Sequence, residues 1–272
     1  MTAYMAQAQE NLISIIDLQR MKQAKEKISC LTAYDATFSA LFNQAGVDVL
    51  LVGDSLGMVI QGNRTTLSVS LQDMLYHTKL VVTGSERAFV IADLPFMTTA
   101  TPEQAAENAA ALIQQSGAQM VKLEGAKIET IEFMVQQGIP VCAHLGLLPQ
   151  SIYQMGQYRV QGKGVVDSER IFTEAIAVEA AGAQLLILEC IPAPLANKIT
   201  QQLSIPVIGI GAGAACDGQV LVAYDMLGMS LGQPAKFTKN FMQQATSILD
   251  AAKCFVHEVK TGKFPTIEQS YQ

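Results

Sequence analysis

The sequence predicts a (β/α)8 TIM barrel, and three observations predict it. Eight short apolar runs recur along 272 residues. Amphipathic stretches of helical period separate most of them, and several of those stretches stop at a glycine just before the next run. Nearly continuous apolar runs are the pattern of parallel strands covered on both faces, and eight β/α units in about 230 residues match the size of such a barrel. A doubly wound open sheet is the alternative.

In order, the predicted strands are 28–34, 48–54, 89–93, 120–124, 141–145, 185–190, 207–211 and 220–225. The helical stretches between them are 36–44, 70–83, 102–115, 127–137, 168–181 and 194–202. Thr101-Pro102-Glu103-Gln104 is a helix start: a capping hydroxyl, proline at the first helical position, and glutamine three residues after the cap. Gly46, Gly117, Gly138 and Gly182 supply the left-handed residue that ends a helix and turns the chain back. Residues 1–27 read as an extension and helix preceding the first strand, and 236–260 as a final helix. Residues 147–167 form a longer loop rich in Gly, Gln and Tyr, placed to cover a site. No linker or block of charge divides the chain, so 1–272 is expected to be one catalytic domain.

Composition narrows the function. Lys and Arg number 18 against 24 Asp and Glu, a net charge of −6, which argues against a general nucleic-acid binder. Charged residues make up 15%, where about 25% is ordinary for a soluble domain. A surface so thinly charged fits either burial between subunits or a large alanine-rich core. No apolar run is long enough to span a bilayer, and Glu10 and Asp17 interrupt anything resembling a secretory signal. The five cysteines are widely spaced with no CxxC pair, the pattern of reduced thiols and not of a disulfide framework or zinc site. The expected location is therefore the cytoplasm.

What terminates the strands is more informative. Strand 2 ends in Gly53-Asp54-Ser55, strand 3 in Asp93, strand 4 in Lys122-Leu123-Glu124, strand 5 with His144 and strand 6 with Glu189. In a barrel all parallel strands end on one face, so five successive strands deliver ionisable groups to one mouth. One such carboxylate alone would be an ordinary solvated loop residue. Lys122 and Glu124 are two apart on a strand and share a face, with Leu123 on the other. Asp54, Asp93 and Glu124 are hard oxygen ligands of the kind that suits Mg2+, and Mn2+ or Co2+ fits the same donors. A divalent ion beside a lysine favours a small oxyanion. A 2-oxo acid chelated there gains acidity at its adjacent carbon, because the metal stabilises the enolate as it forms. Glu189, after Leu185-Leu186-Ile187-Leu188, is the natural base to remove that proton. His144 is placed to donate a hydrogen bond or shuttle a proton, or simply to pack.

Other signals are weaker. Gly209-Ile210-Gly211-Ala212-Gly213 resembles a phosphate-cradling loop but lacks a following helix, so a tight turn of small residues is the better reading. Cys190 has no evident base partner and reads as packed.

At these residues the chain resembles the ketopantoate hydroxymethyltransferase (3-methyl-2-oxobutanoate hydroxymethyltransferase) family. The resemblance lies in Leu31-Thr32-Ala33-Tyr34-Asp35, Val52-Gly53-Asp54-Ser55-Leu56-Gly57-Met58, Ala92-Asp93-Leu94-Pro95-Phe96 and Val121-Lys122-Leu123-Glu124-Gly125. It continues in His144-Leu145-Gly146-Leu147 with Pro149-Gln150-Ser151, in Leu188-Glu189-Cys190, and in the glycine-rich turn. It departs from the family at Ala126 and at Gly156-Gln157-Tyr158, and the residues before about position 12 are an unmatched extension.

The resemblance implies a barrel of the phosphoenolpyruvate/pyruvate type. It implies hydroxymethyl transfer from 5,10-methylenetetrahydrofolate to 3-methyl-2-oxobutanoate, giving 2-dehydropantoate for pantothenate biosynthesis through a Mg-stabilised enolate. By motif position, Asp54, Asp93 and Glu124 resemble the site of one Mg2+ per subunit. Asp54, Ser55, Asp93 and Lys122 resemble the oxo-acid binding residues, with His144 beside them, and Glu189 resembles the proton acceptor. The resemblance also implies a homodecamer. Two rival readings stand at this point: a carbon–carbon lyase or mutase on the same kind of barrel, and a catalytically silent metabolite-binding oligomer. The first is disfavoured by the missing Lys-Lys-Cys-Gly-His type loop, the second by the filled metal and base positions.

Overall fold

The computed structural model describes residues 12–230 and 232–272; the extension read before position 12 lies outside them. Helix α1 (Ile15–Gln23) opens the described chain. A capping box starts it: Asp17 N donates to Ser14 Oγ at 3.3 Å while Ser14 N donates to Asp17 Oδ2 at 2.9 Å. Eight strands follow: β1 (Ile28–Thr32), β2 (Val49–Val52), β3 (Phe89–Asp93), β4 (Met120–Glu124), β5 (Val141–Gly146), β6 (Leu185–Glu189), β7 (Val207–Ile210) and β8 (Gly218–Leu221). All neighbours pair in parallel, and β8 pairs with β1 to close the barrel in sequence order. The closed order excludes the open doubly wound sheet.

Helices α2 (Ala36–Ala45), α3 (Leu56–Val59), α4 (Leu71–Gly84), α5 (Pro102–Ala111), α6 (Ile128–Gln136), α7 (Ile152–Met155), α8 (Val165–Ala180), α9 (Ala193–Gln202), α10 (Ala223–Met226) and α11 (Ile248–Lys260) complete the chain. Their starts are written locally. Asp35 caps α2 by accepting from Phe38 N at 2.9 Å, and Thr101 caps α5 by accepting from Gln104 N at 3.2 Å, with Pro102 behind it.

Three expectations shift. The stretch read as helix to residue 115 leaves α-geometry at Leu112 and finishes as a π-turn, Leu112–Ser116. Residues 220–225 divide between the end of β8 and helix α10, because Val222 turns the chain. The final helix begins at the Ser247 cap, not at 236; before it the chain makes only turns and the short 3-10 segment Phe241–Gln244.

Two cores result from the period of two along each strand. Ile28, Cys30, Val49, Phe89, Ile91, Met120, Cys142, Leu185 and Ile187 fill the barrel interior, and Leu18 of α1 joins them as a plug at the N-terminal end. The alternate residues, Leu31, Leu50, Val90, Val121, Leu123, Ala143, Leu186 and Leu188, pack outward against the helices. Continuing the inward parity along β3 to β6 leads from Ile91 to Asp93, from Met120 to Lys122 and Glu124, from Cys142 to His144, and from Ile187 to Glu189. The same alternation that builds the core therefore ends in the ionisable groups.

Candidate active site

Register sets the ionisable residues side by side. Asp93 is paired with Lys122 across β3 and β4, and Glu124 with His144 across β4 and β5. Lys122 Nζ stands 2.8 Å from Asp93 Oδ1, with both side chains buried. His144 Nδ1 is 3.8 Å from Glu124 Oε1, and its Nε2 is 3.2 Å from Glu189 Oε2. Glu189 is the more open partner, its side chain 16% exposed against 3% for His144.

Asp54 lies one residue beyond the inward parity, on the turn after β2. Its position is fixed by its own backbone N–H, which donates to Asp93 Oδ2 at 3.1 Å. Glycine at 53 leaves room for the Ser55 hydroxyl: a Cβ there would stand 2.8 Å from Ser55 Oγ. Ser55 Oγ is 2.9 Å from the hydroxyl of the buried Tyr34. From the loop after β5, Gln150 Nε2 donates to Asp54 Oδ2 at 2.8 Å, and Gln150 N donates to Glu124 Oε2 at 3.0 Å.

Burial and mutual charge set the electrostatics. Burial, then the neighbouring Asp93 carboxylate, push the Asp54 pKa up to about 7. Burial raises Glu124 well above the usual carboxylate range. Burial works against the Lys122 ammonium, but Asp93, Asp54 and Glu124 outweigh it and raise its pKa, so it stays charged. Burial and the Lys122 charge hold His144 below its ordinary value, which keeps the imidazole neutral near neutral pH.

All seven residues singled out from the sequence, Asp54, Ser55, Asp93, Lys122, Glu124, His144 and Glu189, thus meet at one mouth. Tyr34 and Gln150 join them without having been assigned a role. Both lie in quoted motifs, but neither carries a charge or the strand-end position that marked the others. Tyr158, from the 147–167 loop, adjoins the mouth; burial and then Glu189, Asp54 and Glu124 raise its phenol. The glycine-rich turn after β7 does not join. A Cβ on Gly213 would meet Ala193 Cβ at 2.6 Å, and one on Gly211 would meet Phe237 and Tyr271 at close to 3 Å, so small residues are there for packing. Cys190 is buried with its thiol pKa raised by burial, the environment of a packed cysteine.

The donor set suits a hard divalent cation. Two acidic side chains stand together, with burial pushing Asp54 toward its neutral form, and the buried Glu124 Oε1 has no hydrogen-bond partner among the described residues. Among the described residues, no three His, Cys, Asp or Glu side chains are gathered to hold an ion by themselves. Asp54, Asp93 and Glu124 are thus not drawn together as a ready three-ligand set. No helix among the described residues is long and apolar enough to cross a membrane.

Comparison with known proteins gives the family. The chain is 54% identical to a 3-methyl-2-oxobutanoate hydroxymethyltransferase of Nitrosococcus oceani over 261 residues, covering 95% of this chain and 99% of the relative. It is 56% identical to the enzyme of that name from Idiomarina loihiensis, covering 95% and 98%. In fold it is similar to 2,3-dimethylmalate lyase, a PEP mutase/isocitrate lyase superfamily member, with a TM-score of 0.57 and 19% identity over 79% of this chain and 82% of that one. The model of the family described as ketopantoate hydroxymethyltransferase matches residues 12–267, and the chain belongs to that family.

Proposed function

We propose that this protein is a 3-methyl-2-oxobutanoate hydroxymethyltransferase, transferring the one-carbon unit of 5,10-methylenetetrahydrofolate to C3 of the oxo acid. The observation that carries the reading is the division of the mouth. Asp54, Asp93 and Lys122 gather at the ends of β2 to β4, while Glu189 stands on β6, which faces β2 across the closed barrel.

Asp54 and Asp93 would hold one Mg2+ per subunit, with Glu124 supporting them. When bound, the ion supplies positive charge beside the carbonyl oxygen that becomes negative as C3 loses its proton. Lys122 and Ser55 receive the oxo-acid carboxylate. Tyr34 holds the Ser55 hydroxyl in place, and burial keeps its phenol protonated. Glu189 accepts the C3 proton, and the C3–H bonding pair passes toward the C2 oxygen. C3 then bonds to the methylene carbon as both of its C–N bonds to folate break; one water supplies the hydroxyl oxygen, and the C3 proton and the water's second proton end on the two folate nitrogens. His144, kept neutral, abuts Glu189 and can pass a proton without adding a second charge to the mouth.

The whole chain is read as one catalytic domain acting in the cytoplasm, assembled as a homodecamer. The thin surface charge supports the assembly, as do exposed apolar side chains such as Tyr76, Val165 and Val166. Its test is the mass in solution by analytical ultracentrifugation.

Proton NMR of 3-methyl-2-oxobutanoate in D2O tests the chemistry. Loss of the C3 proton signal that depends on Mg2+ and precedes any folate is the expected result. Glu189→Gln should abolish that exchange while oxo-acid binding persists. Full exchange by Glu189→Gln would remove Glu189 from the mechanism. Exchange by the wild type without product on adding methylenetetrahydrofolate would favour the lyase reading.

A further inference from the structure

Gln150 sits on the one-turn 3-10 segment Pro149–Ser151 that follows β5. Its side-chain Nε2 donates to Asp54 Oδ2 at 2.8 Å and to Leu94 O at 3.0 Å. Its backbone N–H donates to Glu124 Oε2 at 3.0 Å. One residue of the β5 loop therefore ties together the chain ends that leave β2, β3 and β4.

A primary amide is the group this position requires. Its NH2 offers two donors, and both are used here. A lysine would satisfy Asp54 but bring a positive charge that competes with a cation; a carboxylate would repel it. The consequence lies in the oxygens left over. With Oδ2 engaged, Asp54 keeps Oδ1 for a ligand. With Oε2 engaged, Glu124 keeps Oε1, which is buried and has no hydrogen-bond partner among the described residues. A buried acceptor left open in this way is costly unless something binds it.

We propose that Gln150 is a positioning residue for the divalent-ion site: it turns Asp54 and Glu124 so that one oxygen of each stays open. The proposal rests on the reading that Asp54 and Asp93 hold the ion. It adds that ion affinity depends on a loop residue that never touches the ion. Partners of metal ligands that orient them are typically worth about 10–100-fold in metal affinity.

The test titrates Mn2+ alone into the purified protein, following the free-ion EPR signal, for the wild type and Gln150→Met. Methionine keeps the length of the side chain and the backbone N–H to Glu124 while removing the two side-chain donors. The expected result is a Kd about 10–100-fold weaker with kcat recovered when metal is made saturating, alongside a lower metal-free melting temperature because Asp54 Oδ2 and Leu94 O lose their donor. A purely structural role would lower the melting temperature alone, with Mn2+ affinity and the metal dependence of kcat those of the wild type. A Kd within about two-fold of wild type overturns the proposal. Absence of Mn2+ binding by the wild type overturns the metal reading beneath it, and this inference with it. Should Gln150→Met fail to fold, Gln150→Ala is judged by the same Kd comparison.

Discussion

Lys122 and Asp93 are register partners on adjacent strands, and their side chains form a buried ion pair of 2.8 Å at the barrel mouth. The pair is the seam on which the site is built. Asp93 takes the Lys122 ammonium on one oxygen and the Asp54 backbone N–H on the other, so it fixes a strand end and a turn at once. Removing one member strands the other in a buried setting, at a cost of about 3–5 kcal/mol. Lys122→Ala should lower the denaturant midpoint accordingly, and Lys122→Ala with Asp93→Ala should lose less than the sum of the single changes. Strict additivity in that cycle would show the two side chains to be uncoupled.

The Tyr34 hydroxyl lies 2.9 Å from Ser55 Oγ, and the ring is buried. Tyr34→Phe removes this link and keeps the ring. A lost neutral hydrogen bond is worth about 0.5–1.5 kcal/mol, so the KM for the oxo acid should rise roughly 2- to 10-fold with kcat nearly unchanged. A fall in kcat at constant KM would place Tyr34 in the chemical step instead.

Asp54 gives the site a pH dependence whose sign can be stated. Its folded-state pKa, raised to about 7 by burial and by Asp93, lies above the unfolded value. Without metal, the contribution of protonated Asp54 is therefore fully present at acid pH and is lost as pH rises through about 7. A cation binds the ionised form, so added Mg2+ should raise the melting temperature more at about pH 8 than at about pH 6, and calorimetry near pH 6 should detect proton release. Equal shifts at the two pH values, with no proton released, would detach Asp54 from the ion.

Leu18 of α1 is fully buried with the interior strand residues. Leu18→Ala should cost about 2–5 kcal/mol in chemical denaturation and leave kcat intact below the melting transition, because the plug lies at the opposite end from the site. A loss of under about 1 kcal/mol would mean that α1 contributes little to closing the barrel.

The sequence by itself determined the barrel and most of its mouth. Period-two alternation sends Asp93, Lys122, Glu124, His144 and Glu189 inward along strands whose earlier inward residues are apolar, and that parity can be read from single strands. The helix starts at Asp35 and Thr101 were equally legible, because capping is a contact within three residues. Boundaries set by distant partners were not. The start of α11 is a different case: its Ser247 cap accepts from Asp250 N at 3.1 Å, a contact as local as those at Asp35 and Thr101. Asp54 and Ser55 lie past the end of β2, where no periodicity fixes a side chain; a bond to Asp93 Oδ2 and one to Tyr34 decide their placement. Gln150 is uncharged and sits 26 residues beyond Glu124 and 96 beyond Asp54, so only closure of the barrel brings it to both. Local alternation chose which groups face the mouth, and the tertiary structure decided which of their oxygens remain open for chemistry.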